Sequence, residues 1–301
     1  DNLVPDGDKK LELQVVENRF VTTQDGNHCL YLQAEKNQDL NELGIFDRNQ
    51  YYAPHAEQAI AKFFGHQEFC DRIEEFNLLN WQQCTVSDKS SQFTMIAGTS
   101  NASAGPNLIR NSNMANSTEG WIAWPSQVSI IHDKKRGVDG PSLKVQFPPG
   151  KNEALLYHAG IGLNRDRWYR LSFSAMSVGE SNIEFVPLMA SPPWDALDEY
   201  TCFAIDTVFR TFTYLFKPNK SSKEARVNFK SKTAFWIDSV VLSEAVFDAG
   251  TGGESMQLVY NTSDKSKSFA ISENLRDLKG NQLSDSLILQ SFDSIVLIRH
   301  Q

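Results

Sequence analysis

From Asn107 to Leu242 the chain is a succession of short β runs separated by turn residues. They are Val128–Ile131, Ser142–Phe147, Trp168–Ser174, Asn182–Val186, Thr211–Phe216, Ala225–Phe229 and Phe235–Leu242. Strands this short and this regularly punctuated, with few helical stretches among them, predict an antiparallel β-sandwich or jelly roll. Alternation within a run assigns its faces: Trp168, Arg170, Ser172 and Ser174 lie opposite Tyr169, Leu171 and Phe173. One face belongs to a core and the other to water.

The flanking segments read differently. Before the sandwich, Leu11, Leu13 and Val15 alternate with Glu12 and Gln14, and short β runs recur at Phe20–Thr23, His28–Gln33 and Gly44–Tyr52 with Asn or Asp at their edges. Asn18 and Asn49 hold similar places in two of these runs, at a spacing somewhat longer than a typical solenoid turn. Between Pro54 and Asn80 the spacing of Ala56, Ile60, Phe63, Phe64, Phe69, Ile73 and Phe76 predicts helix. Residues 98–105 are small and polar and read as a linker. After Phe247–Gly253, runs at Gln257–Asn261, Ser268–Ile271, Ser286–Leu289 and Ser294–Ile298 predict a small antiparallel β unit with a turn at Lys279-Gly280-Asn281. The expected division of the 301 residues is 1–104, 105–245 and 246–301.

Charge separates the three parts. The chain carries a net −8, concentrated in 1–104, while 105–245 is slightly basic and is the one part that does not repel an anionic partner on average. An acidic chain without a clustered basic surface argues against nucleic acid. No stretch approaches the roughly 20 apolar residues of a membrane span. The cysteines at 29, 70, 84 and 202 form no CxxC pair and no zinc-finger spacing. Cys70 and Cys84 flank an apolar segment and either close a loop in an oxidising compartment or stay free; Cys29 reads as a buried thiol.

Two resemblances add to this. Leu78-Leu79-Asn80-Trp81-Gln82, followed by Asp88, Ser90 and Ser91, resembles the last turns and helical cap of secreted right-handed parallel β-helix proteins; the match covers about residues 11–95 and implies only closing turns. Asn107–Asn111, Gly120-Trp121 with Trp124, Ser142–Val145, Tyr169–Ser174 and Trp236–Leu242 follow the order seen in jelly-roll carbohydrate-binding modules of secreted bacterial polysaccharide-degrading enzymes. That resemblance implies a non-catalytic sugar-binding domain, with a structural Ca2+ held by Asp238 and backbone carbonyls near Asn107–Asn113. The tail resembles the compact β-sandwich that closes many bacterial glycoside hydrolases.

Sugars present CH faces and hydroxyls, so a sugar site pairs aromatic platforms with hydrogen-bonding side chains. The Pro-rich loop 187–203 offers Trp194 and Tyr200, and Trp124 is the exposed partner of a core Trp121; Trp236 reads as core. If Arg170, Arg210 and Arg226 share one face, they favour an acidic sugar through fork-type hydrogen bonds, against the competing account of an ordinary solvated face.

No GxSxG, Walker, HExxH or dinucleotide motif occurs. The neighbouring acids Asp198 and Glu199 diverge on any regular backbone and do not flank one glycosidic bond. The expectation is an all-β, secreted or cell-surface chain that binds polysaccharide as the C-terminal part of a larger bacterial protein. Two alternatives stay open: a β-helix lyase or hydrolase completed by missing N-terminal sequence, with His28 or His55 near its cleft, and a structural or adhesive surface protein. An unpaired β edge is expected at Leu11–Val16, calling for a covering segment or second chain.

Overall fold

The computed structural model describes residues 13–22, 27–33, 40–66, 71–96, 103–148, 153–246, 256–271 and 275–299. The expected linker lies largely outside these, as do Leu11, Phe69, Cys70 and the Phe247–Gly253 run. Among the described residues no helix is long and apolar enough to cross a membrane.

In the first unit, β1 (Leu13–Val16), β2 (Arg19–Val21) and β3 (Leu30–Gln33) are followed by β4 (Gly44–Asp47), β5 (Gln50–Ala53) and β6 (Ala61–His66). Each strand of the first three pairs in parallel with one of the next three: Leu13 with Gly44, Arg19 with Gln50 and Leu30 with Ala61. Then come β7 (Asp71–Phe76), α1 (Leu78–Cys84) and β8 (Gln92–Met95), the last adding in parallel to β5. Among the described residues β1 pairs with β4 alone.

Asparagine sets the register. The Asn18 backbone N–H donates to Asn49 Oδ1 at 2.9 Å across 31 residues, and the Asn49 N–H donates to Ser91 Oγ at 2.7 Å across 42. Stacked side chains at one corner thus satisfy the backbone where strands turn, which edge Asn and Ser do without a helix or sheet partner. The longer spacing from Asn49 to Ser91 holds β6, β7 and α1, which lie between β5 and β8.

The sequence motif Trp81-Gln82…Asp88…Ser91 closes this unit around a wholly buried carboxylate. Asp88 accepts from Trp81 Nε1 at 2.7 Å, Asn49 Nδ2 at 2.8 Å, Tyr51 Oη at 3.0 Å and Ser91 Oγ. Gln82 Nε2 bonds the carbonyls of Asp88 and Ser91. Leu30, Phe46, Tyr51, Ile60, Phe63, Phe76 and Trp81 form the core beneath.

The helix expected over 54–80 is corrected. Ala61–His66 and Asp71–Phe76 form an antiparallel hairpin, with Ala61 opposite Phe76 and Phe63 opposite Glu74. β6 lies between β3 and β7, so both edges of its backbone are paired, and Ala61 and Phe63 enter the core on a period of two. Helix is confined to α1, whose first turn is capped by Asn77 Oδ1 accepting from the Asn80 N–H.

The central unit has two antiparallel sheets. Its strands are β9 (Ser103–Ala104), β10 (Trp121–Trp124), β11 (Ser129–Asp133), β12 (Ser142–Gln146), β13 (Ala154–Leu163), β14 (Trp168–Ser177), β15 (Ser181–Met189), β16 (Thr201–Ile205), β17 (Arg210–Phe216), β18 (Ser222–Ser231) and β19 (Phe235–Val246). One sheet runs β10-β13-β18-β15-β16; the other runs β11-β12-β19-β14-β17, with β9 added to the end of β19. Phe173, Phe185, Phe203, Phe212, Tyr214, Phe216 and Phe229 interlock between them in edge-to-face and tilted pairs, with Tyr214 stacked on Phe216. Trp121 and Trp236 are core and Trp124 is exposed. In the tail, β20 (Met256–Tyr260), β21 (Lys267–Ala270), β22 (Leu275–Asp277), β23 (Ser286–Leu289) and β24 (Ser294–Arg299) make an antiparallel β20-β24-β22 sheet and a β21-β23 pair.

The three units share walls. Arg170 grips Glu57 with two hydrogen bonds, 2.6 and 2.5 Å. Tyr200 and β7 exchange backbone bonds, Glu75 N–H to Tyr200 O at 2.8 Å and Tyr200 N–H to Ile73 O at 3.2 Å. Leu278 and Ile298 of the tail pack on Tyr52 and Ile96 of the first unit.

Replacing Asp88 with Ala strands several buried donors at once. The expected result is a loss of about 3 kcal/mol or more in unfolding free energy, read as a lower urea midpoint at unchanged slope.

Candidate functional site

The outer face of the five-stranded sheet is built by alternation on β18: Ala225, Val227 and Phe229 point into the core, and Arg226, Asn228 and Lys230 point out. Register aligns them with their neighbours. Asn228 lies between Tyr157 and Val186, Arg226 between Ala159 and Leu188, and Lys230 between Leu155 and Glu184. β10 continues the rows, with Ile122 beside Tyr157 and Trp124 beside Leu155.

Arg226 is the centre of this face. Its guanidinium carbon sits 4.9 Å from the ring centroids of both Tyr157 and Trp194, clamped between two aromatic faces. Its Nε has no hydrogen-bond partner. Trp194 reaches this position from the Pro-rich loop, at a left-handed φ of 62° and with its side chain 46% exposed. The loop is pinned back on the sheet by Met189 N–H to Asp195 O and Leu197 N–H to Pro187 O, at 3.0 and 2.8 Å, and by a Lys220–Asp195 ion pair.

Beside the clamp, Asn228 is 1% exposed and neither its Nδ2 nor its Oδ1 has a partner. Leaving a buried amide without partners costs about 1–3 kcal/mol.

The structure does not gather all the residues singled out in the sequence. Trp194 and Arg226 meet directly, and Trp124, 59% exposed, lies on the same sheet face at its far edge. Tyr200 is held at the junction by its backbone bonds to β7. Arg170 is on the other sheet and is taken by Glu57; Arg210 is also there, paired with Asp206 at 2.6 Å. The three arginines therefore do not share a face, because β14 and β17 belong to the opposite sheet from β18. Tyr157 and Asn228, which the sequence reading passed over, complete the clamp; the alternation Arg226-Val227-Asn228-Phe229 was their signal.

Asp238 is buried, with Oδ2 accepting from the Val138 N–H at 2.9 Å and Oδ1 from the Ser239 N–H at 2.6 Å. The Asn111 amide is turned to the carbonyls of Ser117 and Glu119. Amide hydrogens directed at the carboxylate do not fit a calcium cage of six to eight oxygens, and among the described residues no three His, Cys, Asp or Glu side chains gather around one point.

Cys84 is a free thiol that packs with the buried Cys202 in the core under α1. The neighbouring Cys84 thiol and burial push Cys202 well above the ordinary thiol value, so it is a poor nucleophile at neutral pH.

No family model matches the chain and no curated protein does. Among solved structures, a CBM4 module is 19% identical, covering 45% of this chain and 99% of its own, with a TM-score of 0.36. The CBM22-1 xylan-binding domain of Paenibacillus barcinonensis Xyn10C is 14% identical over 48% of this chain and 98% of its own, TM-score 0.40. The enzymatically active domain of bacteriophage CBA120 tailspike protein 4 is 11% identical over 76% of this chain and 34% of its own, TM-score 0.40.

Asn228→Leu replaces an unpaired buried amide by an apolar group of similar size. Its expected effect is a thermal midpoint equal to or above that of the parent in a melting scan, together with loss of ligand binding on this face.

Proposed function

We propose that this chain binds a polysaccharide, without cleaving it, along the outer face of the five-stranded sheet. The observation that carries this is the Tyr157–Arg226–Trp194 clamp beside the unpaired Asn228 amide. Trp194 and Trp124 offer CH-stacking platforms, and Asn228 offers a donor pair and an acceptor to ring hydroxyls. The Arg226 guanidinium, whose Nε has no partner, favours a sugar bearing a carboxylate, since planar forks bind carboxylates in pairs; the neighbouring Lys230 is taken by Glu153 at 3.0 Å.

In this proposal the parallel ladders of the first unit are closing turns of a parallel β-helix, supported by the 31-residue offset at which Asn18 and Asn49 stack. The chain then belongs to a secreted or cell-surface carbohydrate-active protein, and the side of β1 away from β4 is where a further turn or a second chain adds.

The test is affinity electrophoresis against neutral and uronic polysaccharides. Retardation is expected, with Trp194→Ala weakening it by about tenfold, or about 1.4 kcal/mol, and Arg226→Gln removing the preference for the uronic polymer. Absence of retardation by every polymer overturns the proposal, and so does retardation indifferent to Trp194→Ala.

A further inference from the structure

A second polar site lies where the first unit meets the sandwich. A cavity of about 240 Å³ is walled by His28, Gln58 and Glu75 from the first unit and by Trp168, Asp198 and Lys217 from the central one. It contains two carboxyl groups in unlike states. Glu75 Oε1 accepts from Lys62 Nζ at 3.1 Å and His28 Nε2 at 3.2 Å, and Lys62 also bonds Glu199 at 3.0 Å. Asp198, 8% exposed, has an Oδ2 with no hydrogen-bond partner.

Their surroundings separate them further. Burial, then the charges of Glu75 and Glu199, push Asp198 well above the usual carboxylate range despite Lys62. The buried Tyr214 hydroxyl, raised by its own burial and by the same carboxylates, stays neutral beside them. Burial opposes the charge on Glu75 too, but His28 and Lys62 outweigh it and hold its carboxyl below the ordinary value. Burial and neighbouring charge thus favour the protonated form of Asp198, in which the carboxyl donates as well as accepts, and the charged form of Glu75, which accepts.

Size and charge define what fits. The volume corresponds to about eight waters at about 30 Å³ each and falls below the roughly 300–1,000 Å³ of sites for larger ligands. An anion would meet Glu75, and a cation would meet Lys217 and His28. A neutral ring dense in hydroxyls meets an aromatic wall and both kinds of hydrogen-bonding group. We propose that this cavity binds one neutral pyranose-sized sugar residue, resting on Trp168 and hydrogen-bonded to Asp198 and Glu75.

This proposal does not rest on the polymer-binding face, and the experiment keeps the two apart. The full chain is titrated with methyl glucoside, methyl galactoside and methyl mannoside, and binding is read by saturation-transfer NMR and by Trp fluorescence. At least one glycoside is expected to bind, with affinity reduced about tenfold or more in Asp198→Leu and in Trp168→Leu, unchanged in Trp194→Ala, and partly kept in Asp198→Asn, which retains a donor and an acceptor. An unchanged far-ultraviolet circular dichroism spectrum and a cooperative urea transition in Asp198→Leu, Asp198→Asn and Trp168→Leu show that these variants are folded. Failure of all three glycosides to bind overturns the proposal, as does binding that survives Asp198→Leu or disappears with Trp194→Ala.

A raised acid also marks the stability curve. Because Asp198 holds its proton in the folded state at pH values where the unfolded chain has released it, its contribution falls as pH rises from the unfolded carboxylate value through the folded one. Asp198→Asn cannot ionise, so its urea midpoint is expected to drop less than the parent's between pH 5 and pH 8; an equal drop places the charge on Asp198 in both states and removes the neutral acid from the site.

Discussion

A single buried carboxylate organises the first half of the molecule. Among the described residues Asp88 forms no ion pair; its charge is distributed over hydrogen bonds from Trp81, Asn49, Tyr51 and Ser91. The donors come from α1, from the corner before β5 and β5 itself, and from the residue before β8, so the bonds form together only when the parallel ladders are in register and α1 lies across their end. In an apolar interior such a set is either complete or costly. The asparagine stack from Asn18 through Asn49 leads into it, and the Gln82 amide closes the loop behind it. The position of α1, and with it the wall against which β16 packs, follows from Asp88.

The central unit obeys a different constraint. Its two sheets are held by an aromatic layer of edge-to-face and tilted ring pairs, which demands shape rather than polar pairing. Its outer faces are therefore free for other uses, and they are used differently. The six-stranded sheet spends Arg170 on Glu57 to dock the first unit. The five-stranded sheet keeps Arg226 and Asn228 uncommitted. Polar groups left unpaired in an otherwise satisfied molecule mark where it meets something else.

Much of this was legible from residue order. Period-two alternation found the sandwich strands and assigned Trp121 and Trp236 to the core and Trp124 to the surface. The Trp-Gln…Asp…Ser run marked the close of the first unit before its hydrogen bonds were known. The stretch 54–80 departs from the helical spacing of Ala56, Ile60, Phe63 and Phe64 because pairing of β6 with strands on both sides imposes a period of two that sends Ala61 and Phe63 into the core. Asp198 was set aside as half of an adjacent acid pair; its partner across the junction is Glu75, over a hundred positions earlier, a distance no local pattern spans.

Residue order alone determined what is local: which segments are extended, which residues of a strand share a face, where asparagine and proline turn the chain, and that the central part tolerates an anionic partner. Tertiary structure decided what depends on which strands become neighbours. It sent Arg170 and Arg210 to one sheet and Arg226 to the other, folded the Trp194 loop onto Arg226, and enclosed Asp198 with Glu75 between two units. The physical reason is that a side chain's charge state and availability are set by burial and by partners distant in sequence. Alternation records only the direction in which that side chain leaves its own strand.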